Sequence, residues 1–362
     1  MKYSINQKSK QKAYMQLYEQ FKADIIKSVY KYGDKLPSKR ILAEETLTSV
    51  ITVEHAYNIL CDEGYIEARE RRGYFVIYQK DDFMPAAEHE VHDIATVHNQ
   101  YYSDDFPFSS FAKTMRNVIS KYGEEILIKA PNPGCTELRE AIADYIARSK
   151  GINVSYNQIV IGSGAEYLYG LIVQFLGQDR IYALENPSYE KIHSVYSANG
   201  AKCDLLKLGK DGILTSQLEK TEATVLHITP FRSFPSGVTA SASKRNEYIR
   251  WAIERNAVII EDDFNSEFTV STKHEDTVFS LEPSHSVIYL NSFSKTIAPS
   301  MRIGYMVLPR QLVKPFFDKL GFYSCTVPVF EQYVIAEFIR NGCFERHINR
   351  TRRKLRQKMK EQ

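Results

Sequence analysis

Val287-Ile288-Tyr289-Leu290-Asn291-Ser292-Phe293-Ser294-Lys295 runs a short apolar segment into two serines and a lysine, and Arg302 lies seven residues further on. The apolar half, residues 287–290, reads as a buried β-strand with the lysine just past its carboxyl end. An amine placed there loses part of its solvation and becomes a good partner for carbonyl compounds. Hydroxyls and a guanidinium beside it suit a phosphate. Ser-x-x-Lys is common by itself, and a surface lysine is its ordinary reading. The weight therefore falls on the segments that precede it.

Three such segments come in order. Gly162-Ser163-Gly164-Ala165 joins an apolar strand, residues 158–162, to a helix over 166–176. Its small residues let backbone N–H groups approach an anion at the helix start. Asn186-Pro187-Ser188-Tyr189 follows a strand over 180–184. It offers an aromatic ring for a planar ligand, or else a turn with a packing tyrosine. Glu261-Asp262-Asp263 ends a strand over 257–260. A carboxylate there can pair with a protonated pyridine nitrogen and make that ring an electron sink; metal binding or plain solvation are the other readings. Further segments fit the same rhythm: a helix over 189–198, a strand over 224–228 and a helix over 244–255. Strands alternating with helices predict an α/β domain with a mostly parallel sheet, whose ligands gather at the carboxyl ends of its strands. An anion turn, an aromatic turn, an acidic strand end and a lysine strand end, in that order, are what a phosphate-bearing pyridine aldehyde requires.

The first 78 residues read differently. Tyr14, Leu17, Phe21 and Ile25 recur at helical spacing, with Gly33 as the expected stop. Pro37 and Ser38 open a second helix, with Leu42 and Leu47 facing inward. Ser49 caps a third, whose Val53, Ala56, Tyr57 and Leu60 share a face and which Gly64 ends. Two extended segments, 65–70 and 74–78, flank the turn Arg71-Arg72-Gly73. Three helices and a hairpin are the pattern of a winged helix-turn-helix, whose third helix enters a major groove while the hairpin tip reaches phosphates or a neighbouring groove. A small helical domain with a basic hairpin and no DNA partner shares that pattern. Residues 79–100 lack periodicity and read as a linker, which leaves 101–362 for the second domain.

Charge agrees with this division. The 362-residue chain carries a net charge of only +3, but residues 1–80 hold 14 Lys and Arg against 10 Asp and Glu, and residues 344–362 hold 8 against 2. A basic head on an acidic body points to a nucleic-acid partner for the head. The polar, basic N-terminus is unlike a signal peptide. No apolar run approaches the ~18 residues of a membrane span, so the expectation is a cytoplasmic protein with no membrane contact. The five cysteines include no closely spaced pair, which predicts neither a zinc site nor a disulfide framework.

Two sets of motifs resemble known families. Leu36-Pro37-Ser38-Lys39-Arg40, Thr52-Val53 with Ala56-Tyr57, Glu63-Gly64-Tyr65 and Gly73-Tyr74-Phe75-Val76 resemble the GntR-type winged-helix signature. Pro133-Gly134 with Leu138-Arg139, the four segments above, Thr229-Pro230 and Pro235-Ser236-Gly237 resemble the type I pyridoxal 5′-phosphate (PLP) aminotransferase fold. The combination resembles the MocR subfamily of GntR regulators over almost the whole chain. The resemblance implies Lys295 as the Schiff-base lysine, with Asp262 on the pyridine nitrogen and Tyr189 stacked on the ring. It implies Ser163, Gly164, Ala165, Ser292, Ser294 and Arg302 around the phosphate. For the DNA it implies Ser38, Lys39, Arg40, Ser49, Thr52, His55, Arg71, Arg72 and Gly73. It also implies a homodimer on a double-stranded operator, with PLP, alone or joined to an amino-acid-like compound, as effector. The alternatives are an aminotransferase with a regulatory head, and a DNA-binding protein without cofactor.

Some positions depart from the family. Phe264 and Phe234 stand where a tyrosine and an asparagine would bond the cofactor's phenolic oxygen. Arg232 and Ser233 replace a usual His-Gln pair, and Val50 replaces an arginine at the start of the recognition helix. Residues 345–360 resemble the helix that opens the family's C-terminal subdomain. The rest of that subdomain, with its substrate-carboxylate arginine, would be expected beyond it, so the subdomain is read as incomplete.

Overall fold

The computed structural model describes residues 3–6, 9, 11–70, 72–78, 106–268, 275–282 and 287–361, without the side chains of 360 and 361. The chain divides into two units, Met1–Val97 and His98–Gln362. The linker expected at 79–100 lies outside the described residues.

In the head, α1 (Ala13–Ile26), α2 (Lys39–Thr46) and α3 (Val50–Asp62) precede a hairpin of β1 (Ile66–Arg69) and β2 (Gly73–Val76). The strands are antiparallel, with Ile66 opposite Val76 and Arg69 opposite Gly73. Ser38 and Ser49 cap α2 and α3, their hydroxyls accepting from the N–H groups of Ile41 and Thr52. One core joins Leu17, Phe21, Ile25, Leu42, Val53, Tyr57, Leu60, Ile66 and Val76. Two expectations need correction. α1 stops at Ile26, where the chain turns through Ser28 at φ 58°, well before Gly33. Leu47 does not face inward: it is the left-handed C-cap of α2, and the reversal into α3 turns it out to 80% exposure.

The body begins with α4 (Phe108–Tyr122) and α5 (Thr136–Lys150). Strand and helix then alternate through β3 (Ile159–Gly162), α6 (Ala165–Leu176), β4 (Ile181–Asn186), α7 (Glu190–Ala198), β5 (Lys202–Lys207), α8 (Thr215–Lys220), β6 (Val225–Ile228), α9 (Ala242–Arg255) and β7 (Val258–Asp262). After α10 (Val278–Leu281) come β8 (Val287–Ser292), β9 (Gly304–Val307), α11 (Arg310–Leu320), α12 (Val329–Arg340) and α13 (Cys343–Glu361). The sheet order is β3-β9-β8-β7-β6-β4-β5. β5, β4, β6, β7 and β8 run parallel, while β9 pairs antiparallel with β8 and β3. Alternate strand residues serve opposite faces. Leu226, Ile259 and Tyr289 pack beneath α4, α5, α9 and α12, whereas Val225, Ile260 and Leu290 pack beneath α6, α7 and α11. The mostly parallel α/β sheet expected from the alternation is present.

One polar cluster interrupts the first of these cores. Lys150, the last residue of α5, pairs with Asp263 Oδ2 at 3.0 Å and approaches Glu267 Oε1 at 3.9 Å, and it donates to the Ser266 hydroxyl. Tyr289 donates to Asp263 at 2.7 Å and Asn291 to Glu267 at 2.7 Å. Removing one member of a buried ion pair leaves an uncompensated charge. Lys150→Met is therefore expected to lower the stability of the body by about 3–5 kcal/mol. Urea denaturation reads this, and an unchanged midpoint would show that the cluster holds nothing.

Candidate functional site

The carboxyl ends of β4, β6, β7 and β8 meet the start of α6, and the functional side chains come from there. Asp262 closes β7 and is 1% exposed. Tyr169 of α6 donates its hydroxyl to Asp262 Oδ2. His227 of β6 lies with Nε2 3.7 Å from the same oxygen, and its Nδ1 is 2.7 Å from the Tyr196 hydroxyl. Asp262 Oδ1 has no hydrogen-bond partner among the described residues. A buried carboxylate oxygen left in that condition is costly, and a cationic N–H would satisfy it.

Lys295 follows β8, and its amine donates to Asn265 Oδ1. It also lies 5.4 Å from the centroid of the Phe264 ring. Asn265 is held in turn by donating to the Arg232 carbonyl at 3.0 Å. Burial lowers the Lys295 pKa, the charge of Arg232 lowers it further, and Glu267 opposes both. The amine is thereby shifted toward its neutral, nucleophilic form.

At the other end Gly164 precedes α6 at φ 95°, and a Cβ there would come within 3.1 Å of the Arg302 guanidinium. The glycine allows Arg302 to lie over the helix start. No side chain caps α6, so its first N–H groups are left open, as a helix start that can receive an anion. Arg302 is steadied by Glu166 at 2.8 Å, whose other oxygen takes Lys191 at 3.2 Å. Burial pushes the Glu166 carboxyl up, but the two cations outweigh it and hold the group below its usual range.

Of the expected cofactor residues, Ala165, Tyr189, Ser292, Ser294, Lys295 and Arg302 line one cleft of about 200 Å³, with Phe264 and Tyr169. Asp262 lies behind Tyr169. Ser163 and Gly164 are not on its wall, and the Ser163 N–H donates to the Thr326 hydroxyl at 3.2 Å. A second cleft of about 480 Å³ shares Lys295 and is lined by Arg232, Phe234, Asn265, Phe268 and Leu355. Sequence reasoning passed over Tyr169, His227, Asn265, Glu166 and Glu185. A histidine between Leu226 and Ile228, and a glutamate closing a buried strand at 185, were visible anomalies; Asn265 in a loop carried no pattern. Glu185 is buried and accepts from the Ser233 hydroxyl at 2.5 Å. Burial raises its carboxyl to about 7 against donors from Ser233 and the Thr229 backbone, with the charge of Asp262 adding to the rise.

In the head, Arg40 and Arg72 are exposed and make no ion pair among the described residues. Lys39 is held by Glu54 at 2.5 Å, His55 stacks on Tyr14 at 4.2 Å, and Ser49 and Thr52 bond each other at 2.9 Å. Gly73 opens β2 at φ 106°, and Arg71 lies outside the described residues. Among the described residues no group of three or more His, Cys, Asp and Glu is placed to hold a metal. No described helix is long and apolar enough to cross a membrane.

Residues 98–361 match the family of class I and II aminotransferases, and residues 13–76 match the bacterial regulatory proteins of the gntR family. The chain is 33% identical to the HTH-type transcriptional regulator YdeL of Bacillus subtilis over 356 residues, 95% of this chain and 77% of that protein. It is 26% identical to the probable rhizopine catabolism regulatory protein MocR of Rhizobium meliloti, over 93% of this chain and 74% of that one. Among solved structures it is similar to the kynurenine aminotransferase of Pyrococcus horikoshii, at 27% identity and a TM-score of 0.63. That match takes in 69% of this chain and 64% of the other, so the chain spans under two thirds of the solved aminotransferase.

The raised Glu185 carboxyl carries a pH signature. Folded Glu185 keeps its proton up to about 7, while the unfolded group loses it near 4.5, the ordinary glutamate value. The folded state thus binds the extra proton, and the resulting stability is full at low pH and fades as pH rises toward 7. Glu185→Gln is expected to flatten the decline in Tm between pH 5 and 7.5. Parallel curves for the two proteins would mean that Glu185 is ionised throughout.

Proposed function

Because the chain belongs to the MocR-type GntR regulators, with an aminotransferase class I and II body behind a gntR-family head, we propose that this transcription regulator senses a small amine through PLP held in the Lys295 cleft. The class of the body implies PLP as cofactor. The observation that carries the reading is one cleft that gathers an open helix start, Arg302, two serines and Lys295 above a buried carboxylate with one unpartnered oxygen.

The residues fit the group. Ala165, Ser292, Ser294 and Arg302 would hold its phosphate, Tyr189 its ring face, and Asp262 its ring nitrogen. When bound, PLP supplies an aldehyde that condenses with primary amines and a ring that withdraws electrons. The chain's own work is electrostatic. Tyr169 keeps Asp262 oriented, Glu166 keeps Arg302 over the helix start, and the depressed pKa of Lys295 keeps its amine reactive. Phe264 contributes no hydroxyl to the cleft, so the phenolic oxygen would lack the donor that the family usually supplies.

Arg40, Ser49, Thr52 and Arg72 would meet the operator, with Ser38, Lys39, His55, Arg71 and Gly73 supporting or flanking them. The reading includes a cytoplasmic homodimer whose two heads take two half-sites, so that the state of the body sets how the heads grip DNA.

Titration of the full-length protein with PLP is expected to give a long-wavelength absorption band that Lys295→Ala lacks. At fixed salt, PLP is expected to change affinity for a duplex selected from a random pool, and Lys295→Ala to be indifferent. A band without any change in DNA affinity would leave a cofactor site but no sensor. Phe264→Tyr restores one donor and is expected to tighten PLP binding about fivefold. Equal affinity would mean that no donor is missed.

A further inference from the structure

The start of the recognition helix carries apolar groups that the fold does not use. The inner face of α3 is complete, with Val53, Ala56, Tyr57 and Leu60 fully buried. Yet Leu47, in the turn before it, is 80% exposed, and in its first turn Val50 is 40% and Ile51 76% exposed. The polar groups at the same end also bond within the protein. The Ser49 hydroxyl accepts the Thr52 N–H at 3.1 Å and bonds the Thr52 hydroxyl, and Lys39 is neutralised by Glu54. What this end offers besides them is a row of methyl groups, on a small domain whose Arg40 and Arg72 make no ion pair among the described residues.

An apolar surface this small on a basic domain fits a partner that is anionic overall and apolar at points. The major groove of B-DNA is such a partner, because thymine presents a C5-methyl group among polar base edges. A first helical turn is also the part of a recognition helix that meets base edges. Valine and isoleucine make no hydrogen bonds, so this end has little with which to read guanine. We propose that the head reads thymine methyl groups through Val50 and Ile51, with Leu47 beside them, and that phosphate contacts from Arg40 and Arg72 set the register. The proposal rests on the DNA-binding reading of the head and names the bases it selects.

The test uses the full-length protein and duplexes selected from a random pool. Selected half-sites are expected to be enriched in A·T pairs at the positions facing α3. Replacing those thymines by deoxyuridine removes only the methyl groups, and is expected to weaken binding about fourfold per contacted methyl. Val50→Ala and Ile51→Ala, at exposed helical positions, keep the fold and are expected to lose affinity and the deoxyuridine penalty together. Their salt dependence stays that of wild type, whereas Arg40→Ala lowers the salt slope. Equal affinity for thymine and deoxyuridine duplexes overturns the methyl readout. A full deoxyuridine penalty retained in both alanine variants overturns the assignment to Val50 and Ile51. A protein that selects no duplex at all overturns the DNA-binding reading itself.

Discussion

Lys150 is the buried cation set among Glu261, Asp263 and Glu267 in the middle of the body, and the geometry of the cleft hangs on it. Buried ion pairs seldom add net stability, because desolvation offsets their attraction; their value lies in the geometry they fix. Here they fix residues 263–268, the segment between β7 and the wall of both clefts. Asp263 is held by Lys150 and Tyr289, Glu267 by Asn291, and the Glu267 carbonyl by Arg352 of α13 at 2.5 Å. Glu261 is spared the problem by accepting the backbone N–H groups of Val278 and Phe279 at 2.8 Å each, while burial pushes its carboxyl up to about 8. Phe264 and Asn265, the residues that Lys295 touches, ride on this segment. α5, β8 and α13 therefore position the amine without facing it.

On that frame the cleft separates charge along its length. One end is positive, with Arg302 and the uncapped start of α6. Beyond the other, behind Tyr169, lies the buried carboxyl group of Asp262. Neither end is neutralised by its neighbours: Glu166 engages one edge of Arg302, and Tyr169 engages one oxygen of Asp262. A ligand with an anion at one end and a protonated ring nitrogen at the other would relieve both deficits.

The range of each force decides how much of this was legible in the sequence. Capping is local, and Ser38 and Ser49 were readable as caps because each serves an N–H three residues away. Strands buried on both faces were readable for the same reason: β3, β7 and β8 open as apolar runs, and His227 is the one polar residue within β6. β5, the edge strand with the sequence Lys-Cys-Asp-Leu-Leu-Lys, gave no such signal, and β9, Gly-Tyr-Met-Val, is apolar but only four residues long. Leu47 misled because helical spacing puts it on the inner face of α2, while the left-handed cap that reverses the chain is set by the entry into α3. Within the site, residues at strand ends announced themselves through the break from apolar to polar. Tyr169 and Asn265 did not, because one lies inside a helix and the other inside a loop, and only the folded sheet brings them to Asp262 and Lys295.

The head is electrostatically modest, and this bears on how such a regulator could be governed. Its net charge is small, Lys39 is spent on Glu54, and Arg69 on Glu67 at 2.5 Å. Nonspecific affinity for DNA scales with the number of phosphates neutralised, so a single head of this kind holds a duplex weakly. On the proposed homodimer, two heads would bind differently. Once the first is seated, the second acts at an effective concentration set by the geometry between them, and vanishes from the balance if that geometry forbids both contacts. A strong head would bind whatever the body did. In that proposed dimer a weak one would make the spacing and orientation of the pair the controlling variable, and would place that variable in the body. On the proposed reading the economy of charge in the head is what lets a small amine at Lys295 decide the occupancy of an operator.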